Sequence, residues 1–338
     1  MQKIVAFVLS ESPKLKKGEK LEVNISESVP HYFGSSVPRQ ALIGREDRKV
    51  GGQKIAFQIK AYLPDMMIVQ AEAEVESLFT DAAFELRASL INECHKIIKS
   101  RGGQFELSEE YSVAIVSDYK GDPEQFLGES HRIAQFLKSE TLPLDEDEVR
   151  HTIDFQIKYA KDDLVIVDWD GAFIFDPYGE YHSILELLQL ANLQLLRYRI
   201  LDKELDFRLA KINKVLQTKG GKLEIFKTKE MSAAFKGVIS VRAESIAEFE
   251  AVDRDIKLIG EWYSARLYDL ASEKMRLEKW KEAVKEKLDS IEDVYSIVAE
   301  NFSMSRVTYL EFIQIILFFI LQVGWFALII TEFVYYTK

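Results

Sequence analysis

The chain holds one cysteine, Cys94, so no disulfide can form within it, and a reducing compartment is the expected setting. Cys94 lies in the helical pattern FELRASLINECHKIIK with only His95 as a basic neighbour, which predicts a buried thiol rather than a nucleophile. Histidine is scarce as well. The five, at 31, 95, 131, 151 and 182, form no H-x-x-x-H or Cys/His pair, so no zinc site can be read. Glycine loops of the P-loop or dinucleotide type are missing, because GREDRKVGGQK lacks both the spacing and the hydroxyl after lysine. No cofactor is implied. Basic residues are the minority, 44 against 55 acidic, and a formal charge of −11 argues against nucleic acid as a partner. Seven prolines and no low-complexity tract imply order over most of the length.

Long apolar runs are few, and they differ. MQKIVAFVLSES offers six apolar residues in a row, Ile4 to Leu9, too short a core for a signal peptide, so a first β-strand is expected. FIQIILFFILQVGWFALIIT, from Phe312 to Thr331, runs twenty residues without a formal charge. At 1.5 Å per residue that is roughly 30 Å, the thickness of a bilayer's hydrocarbon core. Tyr309 stands at one end and Tyr335, Tyr336 and Lys338 at the other, where amphipathic rings and a cation suit the interface. The expectation is one C-terminal membrane helix over 309–335, with the bulk of the chain cytoplasmic and the lipid bilayer as a partner. Glu311, Gln314 and Gln322 fall within about 80° of one another on a helix. A polar stripe on a span prefers protein to lipid, which predicts self-association.

The remainder divides into three further parts. Residues 1–54 mix strand candidates (KIVAFVL, KLEVNIS) with turn residues and form a β-rich segment. Residues 55–180 alternate strand and helix patterns: IAFQIKAYL and MMIVQAEAEV about a turn at Pro64-Asp65, a helical stripe over 77–100, strands at 112–119 and 153–160, and a helix between them. That order predicts an α+β head, a mixed or antiparallel sheet with helices on one face. From 181 to 301 the period changes. Apolar residues fall at 184, 188, 191, 195, 198, 201, 205, 209, 212 and 216, then at 256, 259, 263, 267, 270, 277, 280, 284, 288, 291, 295 and 298, with Lys274 the one polar break. Counting Lys274, the second set has a mean spacing of about 3.5, the coiled-coil period. A long antiparallel coiled-coil hairpin is expected, and Leu277, Leu288 and Ile291 join Glu311, Gln314 and Gln322 as candidate oligomerisation residues.

One stretch carries a possible chemistry. In LVIVDWDGAFIFD an apolar run meets Asp168-Trp169-Asp170-Gly171, which resembles the first motif of the haloacid-dehalogenase phosphatases. There the first carboxylate attacks phosphorus and the second moves a proton. That reading also needs a parallel nucleotide-fold sheet, a later hydroxyl, a lysine and an acidic pair for Mg²⁺, and the chain after Gly171 has no room for three or four further parallel strands. Alternating flanks and a two-residue Asp-Gly loop predict a hairpin instead. Gly-Gly-Gln, at 51–53 and 102–104, resembles the tripeptide of peptide-chain release factors, but its settings between strands and after a helix read as turns.

The C-terminal third, LIGEWYSARLYDLASEKMRLEKWKEAVKEKLDSIEDVYSIV followed by YLEFIQIILFFI, resembles the required-for-meiotic-nuclear-division family over about residues 160–335. The family's apolar hairpin would be VDWDGAFIF and its Leu-Glu pair Leu310-Glu311. Trp169 precedes Gly171 here, where the family has its Trp after the glycine. The resemblance implies a membrane-anchored, non-enzymatic role. Taken together, the expectation is a self-assembling membrane scaffold or adaptor for a protein partner that the sequence does not identify. The alternatives are a phosphotransferase using Asp168 and Asp170, or a subunit of a channel or transport complex.

Overall fold

The computed structural model describes residues 1–12, 19–20, 40–62, 65–104, 106–217 and 262–336. The chain is α+β, and its first strand, β1 (Gln2–Glu11), explains the layout. Ile4 through Leu9 are apolar without alternation and have no exposed surface. A strand apolar on both faces needs cover on both. The expected one-sided arrangement is thereby corrected: helices lie on both faces of the sheet.

The other strands are β2 (Glu19–Lys20), β3 (Gln40–Val50), β4 (Gln53–Tyr62), β5 (Met66–Val75), β6 (Ser108–Val116), β7 (Gln156–Ile157), β8 (Leu164–Val167) and β9 (Gly171–Phe175). They form one nine-stranded sheet in the order β2-β3-β4-β5-β1-β6-β9-β8-β7. Neighbours are antiparallel except β6 and β9, which run parallel. β1 pairs with β5 and β6 at the centre, so the first segment and the head share one sheet. The boundary expected at residue 54 falls at the β3–β4 hairpin, whose Val50 pairs with Gln53 around Gly51-Gly52. Both glycines have positive φ, 56° and 84°, which a two-residue hairpin loop demands. The first Gly-Gly-Gln is that turn. The second follows a helix, with Gly102 at φ 84° and no room at Gly103, where a Cβ would meet Ile98 at 2.4 Å.

The first face, bearing Ile4, Ala6 and Val8, packs against α1 (Asp81–Ser100), α2 (Ser130–Leu137) and α3 (Glu146–Ile153). The second, bearing Val5, Phe7 and Leu9, packs against α4 (His182–Gln217) and α5 (Trp262–Lys274). The strand expected over 153–160 shrinks to β7, because α3 runs to Ile153.

Residues 181–216 were expected to form one arm of a coiled coil, and the first half of α4 departs from this. Ten consecutive residues, Leu187 to Leu196, are buried. The seam positions 184, 188, 191, 195 and 198 face the core, but Leu185, Leu187, Leu190, Leu193 and Leu196 are buried too, so the helix is enclosed all round. Each fully buried leucine contributes about 1.5–3 kcal/mol. The second seam is also broken. α5 stops at Lys274, Arg276 takes φ 53°, and α6 (Leu277–Tyr336) begins. The N–H groups of Met275 and Arg276 donate to the carbonyls of Ala271 and Glu273, a left-handed helix ending. The glycine pair at 220–221 and positions 256 and 259 lie outside the described residues.

Two compact units are distinguished: Met1–Glu204 with Glu244–Val284, and Leu205–Ala243 with Lys285–Lys338. The first contains the sheet and its two helical layers. Within the second, Lys287 pairs with Asp206 at 2.8 Å, and Leu205, Leu288 and Ile291 are buried. The last part of α6, Ile313–Tyr336, has a mean hydropathy of 2.5 over its most apolar window, and none of that window is buried. By length and composition this helix can cross a membrane.

Candidate functional site at the Asp168 hairpin

β8 and β9 form the expected hairpin, closed by the pairing of Val167 with Ala172 and by the Asp168 N–H donating to the Gly171 carbonyl at 2.8 Å. The loop residues are Trp169 and Asp170, not the expected Asp170 and Gly171, and none of these has positive φ. Gly171 is required for a different reason: a Cβ there would sit 2.8 Å from the Ser112 carbonyl on the parallel neighbour β6. Tyr111 of β6, fully buried, aims its hydroxyl between the Asp168 and Gly171 carbonyls at 3.0 and 2.8 Å. Burial, then Asp168 and Asp170, push its phenol well above the ordinary tyrosine range.

The Asp168 side chain is 4% exposed. Its Oδ1 accepts the Trp169 N–H at 2.7 Å and lies 3.4 Å from Lys274 Nζ; its Oδ2 lies 3.3 Å from Lys138 Nζ. Lys138 also pairs with Glu148 at 2.7 Å, and Lys274 Nζ stands 3.9 Å from the centre of the Phe155 ring. Burial draws the Lys138 ammonium down, but Glu148 and Asp168 outweigh it and hold its pKa above the usual value. Lys138 follows α2 on the first face of the sheet, and Lys274 ends α5 on the second. Asp168 is where the two helical layers are tied ionically around the end of the hairpin.

A third cation braces the loop from α1. Arg87, 7% exposed, donates to the Phe136 carbonyl at 2.5 Å, to the Ser139 hydroxyl, and to the Asp170 carbonyl at 3.3 Å. Burial pushes its guanidinium down to about 10. The Asp170 carboxyl is pushed up by burial, against the pull of Arg87.

Sequence reasoning singled out Asp168 and, separately, Lys274 as the one polar break in an apolar seam. The structure brings these two together. Lys138, Arg87 and Tyr111 were missed, since nothing in their local patterns marks them. Chemically, both Asp168 oxygens face ammonium groups and the strand before it runs antiparallel to β9. Asp168 is therefore not the open carboxylate that phosphoryl transfer needs, and among the described residues no group of three or more His, Cys, Asp or Glu side chains is placed to hold a metal.

Two acidic runs elsewhere in the head, LDEDE at 144–148 and KDD at 161–163, have local duties. Asp145 caps α3 by accepting the Asp147 N–H at 2.9 Å, and Asp163 accepts the N–H groups of Tyr159 and Ala160 at 2.8 and 2.9 Å. Cys94 is buried, and desolvation pushes its thiol far up. Of the candidate oligomerisation residues, Leu277, Leu288 and Ile291 are buried within the chain, whereas Glu311, Gln314 and Gln322 are exposed on α6.

Comparison with known proteins gives two matches. Residues 43–182 match the family described as the N-terminal domain of uncharacterized protein MJ0711. Uncharacterized protein MJ0711 of Methanocaldococcus jannaschii is 25% identical over 266 residues, covering 78% of this chain and 79% of the relative. The family segment includes the Asp168 hairpin, Arg87, Tyr111 and Lys138, but not the central strand β1. No solved structure matches.

Proposed function

We propose that the chain is a membrane-anchored, non-enzymatic scaffold or adaptor, with its α+β head on the cytoplasmic side and its C-terminal helix as the anchor. The observation that carries this is the bare apolar stretch Ile313–Tyr336, at the end of a helix whose first residue, Leu277, is buried in the head's second core. Twenty-four such residues outside a bilayer would leave an apolar surface far beyond what soluble proteins expose. The closed ion pairs around Asp168 favour a structural duty for that carboxylate over attack on phosphorus. The resemblance of residues 160–335 to the required-for-meiotic-nuclear-division family points the same way. The finer proposal of a coiled-coil stalk rests on the Lys287–Asp206 pair and the buried Leu205, Leu288 and Ile291.

Membrane extraction of full-length protein and of a form ending at Tyr309 tests the anchor. The full chain should resist alkaline carbonate and need detergent, while the shortened form should appear in the soluble fraction with its head folded. Release of the full chain by carbonate would overturn the reading. Phosphatase activity abolished by Asp168→Asn in a folded protein would favour the enzyme instead.

A further inference from the structure

The exposed polar groups of the terminal helix are not scattered. Thr331 satisfies its hydroxyl on the Ala327 carbonyl within the helix. Gln314, Gln322 and Glu332, with Glu311 just before the apolar stretch, have no partner among the described residues, and all four are exposed. At about 100° per residue they lie within about 80° of one another. Phe318, Trp325 and Ile329 fill the positions between them, and the steps from 311 to 332 are threes and fours only. Their mean is about 3.5, the period of a left-handed helix pair. Leu288 and Ile291, which the chain itself buries, lie about 160° and 220° from Gln322 around the same helix. Packing within one copy therefore uses the opposite face and leaves this stripe open.

We propose that the stripe centred on Gln322 is the contact with a second copy of this chain, packed parallel within the membrane; this rests on the anchor reading. Among the described residues one helix is apolar enough to cross a membrane, so no sibling span among them can satisfy the amides. A carboxamide both donates and accepts, so across a two-fold axis Gln322 of one copy is complementary to Gln322 of the next. Chains inserted with the same polarity oppose identical residues, which brings these amides together. Gln322 lies about 4 Å from the middle of the stretch, whereas Glu311 and Glu332 are about 32 Å apart along the axis, at the levels where water reaches them. The hydrocarbon therefore penalises an unpaired Gln322 most. A single buried amide in such a seam also fixes its register.

Cysteine cross-linking of the full-length protein in liposomes tests this, with the buried Cys94 giving a low background. Phe318→Cys, Trp325→Cys and Ile329→Cys should form disulfide-linked dimers with an added oxidant, and Ile320→Cys and Ala327→Cys on the opposite side should not. Gln322→Leu should weaken the dimer about three- to tenfold, and Gln322→Asn should retain part of it. Cross-links on the opposite face, or a carbonate-resistant protein that stays monomeric or links to a different polypeptide, would overturn the seam while leaving the anchor intact. Release of the unmodified chain by carbonate would overturn both.

Discussion

Leu187–Leu196 of α4 and Ile313–Tyr336 of α6 are alike in composition and opposite in fate. Each is a largely apolar helical stretch interrupted by amides. In α4 every amide finds a partner in the head. Gln189 accepts from Tyr62 at 3.3 Å and donates to Gln70 at 2.8 Å; Asn192 donates to the Leu188 carbonyl at 2.8 Å; Gln194 donates to Tyr198 at 3.0 Å and accepts from Tyr268. In α6, Gln314 and Gln322 have none among the described residues. Hydropathy singles out Ile313–Tyr336, but it does not say what becomes of the amides. Accounting for polar groups does: a core helix settles them within the chain, and a span leaves them to another molecule.

The sharpest way to break that contrast is to unpair a polar group in the head. Asp168 and Lys274 are 4% and 10% exposed, and removing one partner of such a buried pair costs about 3–5 kcal/mol. Asp168→Asn should lower the stability of the full chain in detergent by about 3 kcal/mol, read as a lower urea midpoint by near-ultraviolet circular dichroism. Gln322→Leu should leave that midpoint unchanged, because nothing inside one copy depends on it. An unaltered midpoint in Asp168→Asn would mean the ion pairs are not closed in solution. Lys274→Met should cost less, since Lys138 still faces the remaining carboxylate.

That pair also marks the limit of what local pattern reveals. The hairpin was legible in LVIVDWDGAFIF because alternation and turn chemistry act over a few residues. The terminal apolar helix was legible because its uncharged length matches the hydrocarbon thickness of a bilayer. Lys274 was visible only as a flaw in a seam; its partner lies 106 positions earlier in the chain, and no periodicity reports a contact across that separation. The two-sided sheet was implicit in the unbroken apolar run of β1, which an alternating strand would not show. The first half of α4 departs from the expected coiled-coil arm because its 3–4 spacing is real but incomplete: the leucines between the seam positions are what enclose it. The loop of the Asp168 hairpin falls one residue earlier than its Asp-Gly pattern implies, because Gly171 supplies clearance from Ser112 rather than backbone freedom.

A smaller effect is expected at Tyr268. Its hydroxyl donates to Gln194 Oε1, and Tyr268→Phe would leave that buried acceptor unsatisfied, at a cost of about 1–3 kcal/mol. Adding Gln194→Leu should restore part of the loss, because replacing both partners by apolar groups removes the unpaired atom. Urea midpoints of the two single variants and the double variant form the cycle. If the double variant is destabilised by the sum of the singles, the amide is not held by Tyr268, and the contrast between α4 and the span weakens.

The smallest effect separates buried pairing from buried charge. Glu186 of α4 is pushed up by burial, with Lys60 of β4 and His182 pulling it back; Lys60 is pulled down by burial despite Glu186. Both directions show desolvation outweighing the attraction between the two. A carboxyl whose folded pKa lies above its unfolded value contributes stability below the unfolded value, and loses it as pH rises through the folded one. The wild-type head should therefore lose stability from pH 4 towards pH 7 partly through Glu186. Glu186→Gln removes that titration, while Lys60 and His182 remain in both proteins. The variant should be nearly equal to wild type at pH 4 and relatively more stable at pH 7, read as a difference in Tm that widens with pH. A difference that narrows instead would mean that the Lys60–Glu186 attraction outweighs burial. α4 would then tolerate charge as well as amides, and its kinship with the exposed apolar stretch of α6 would be looser than its composition implies.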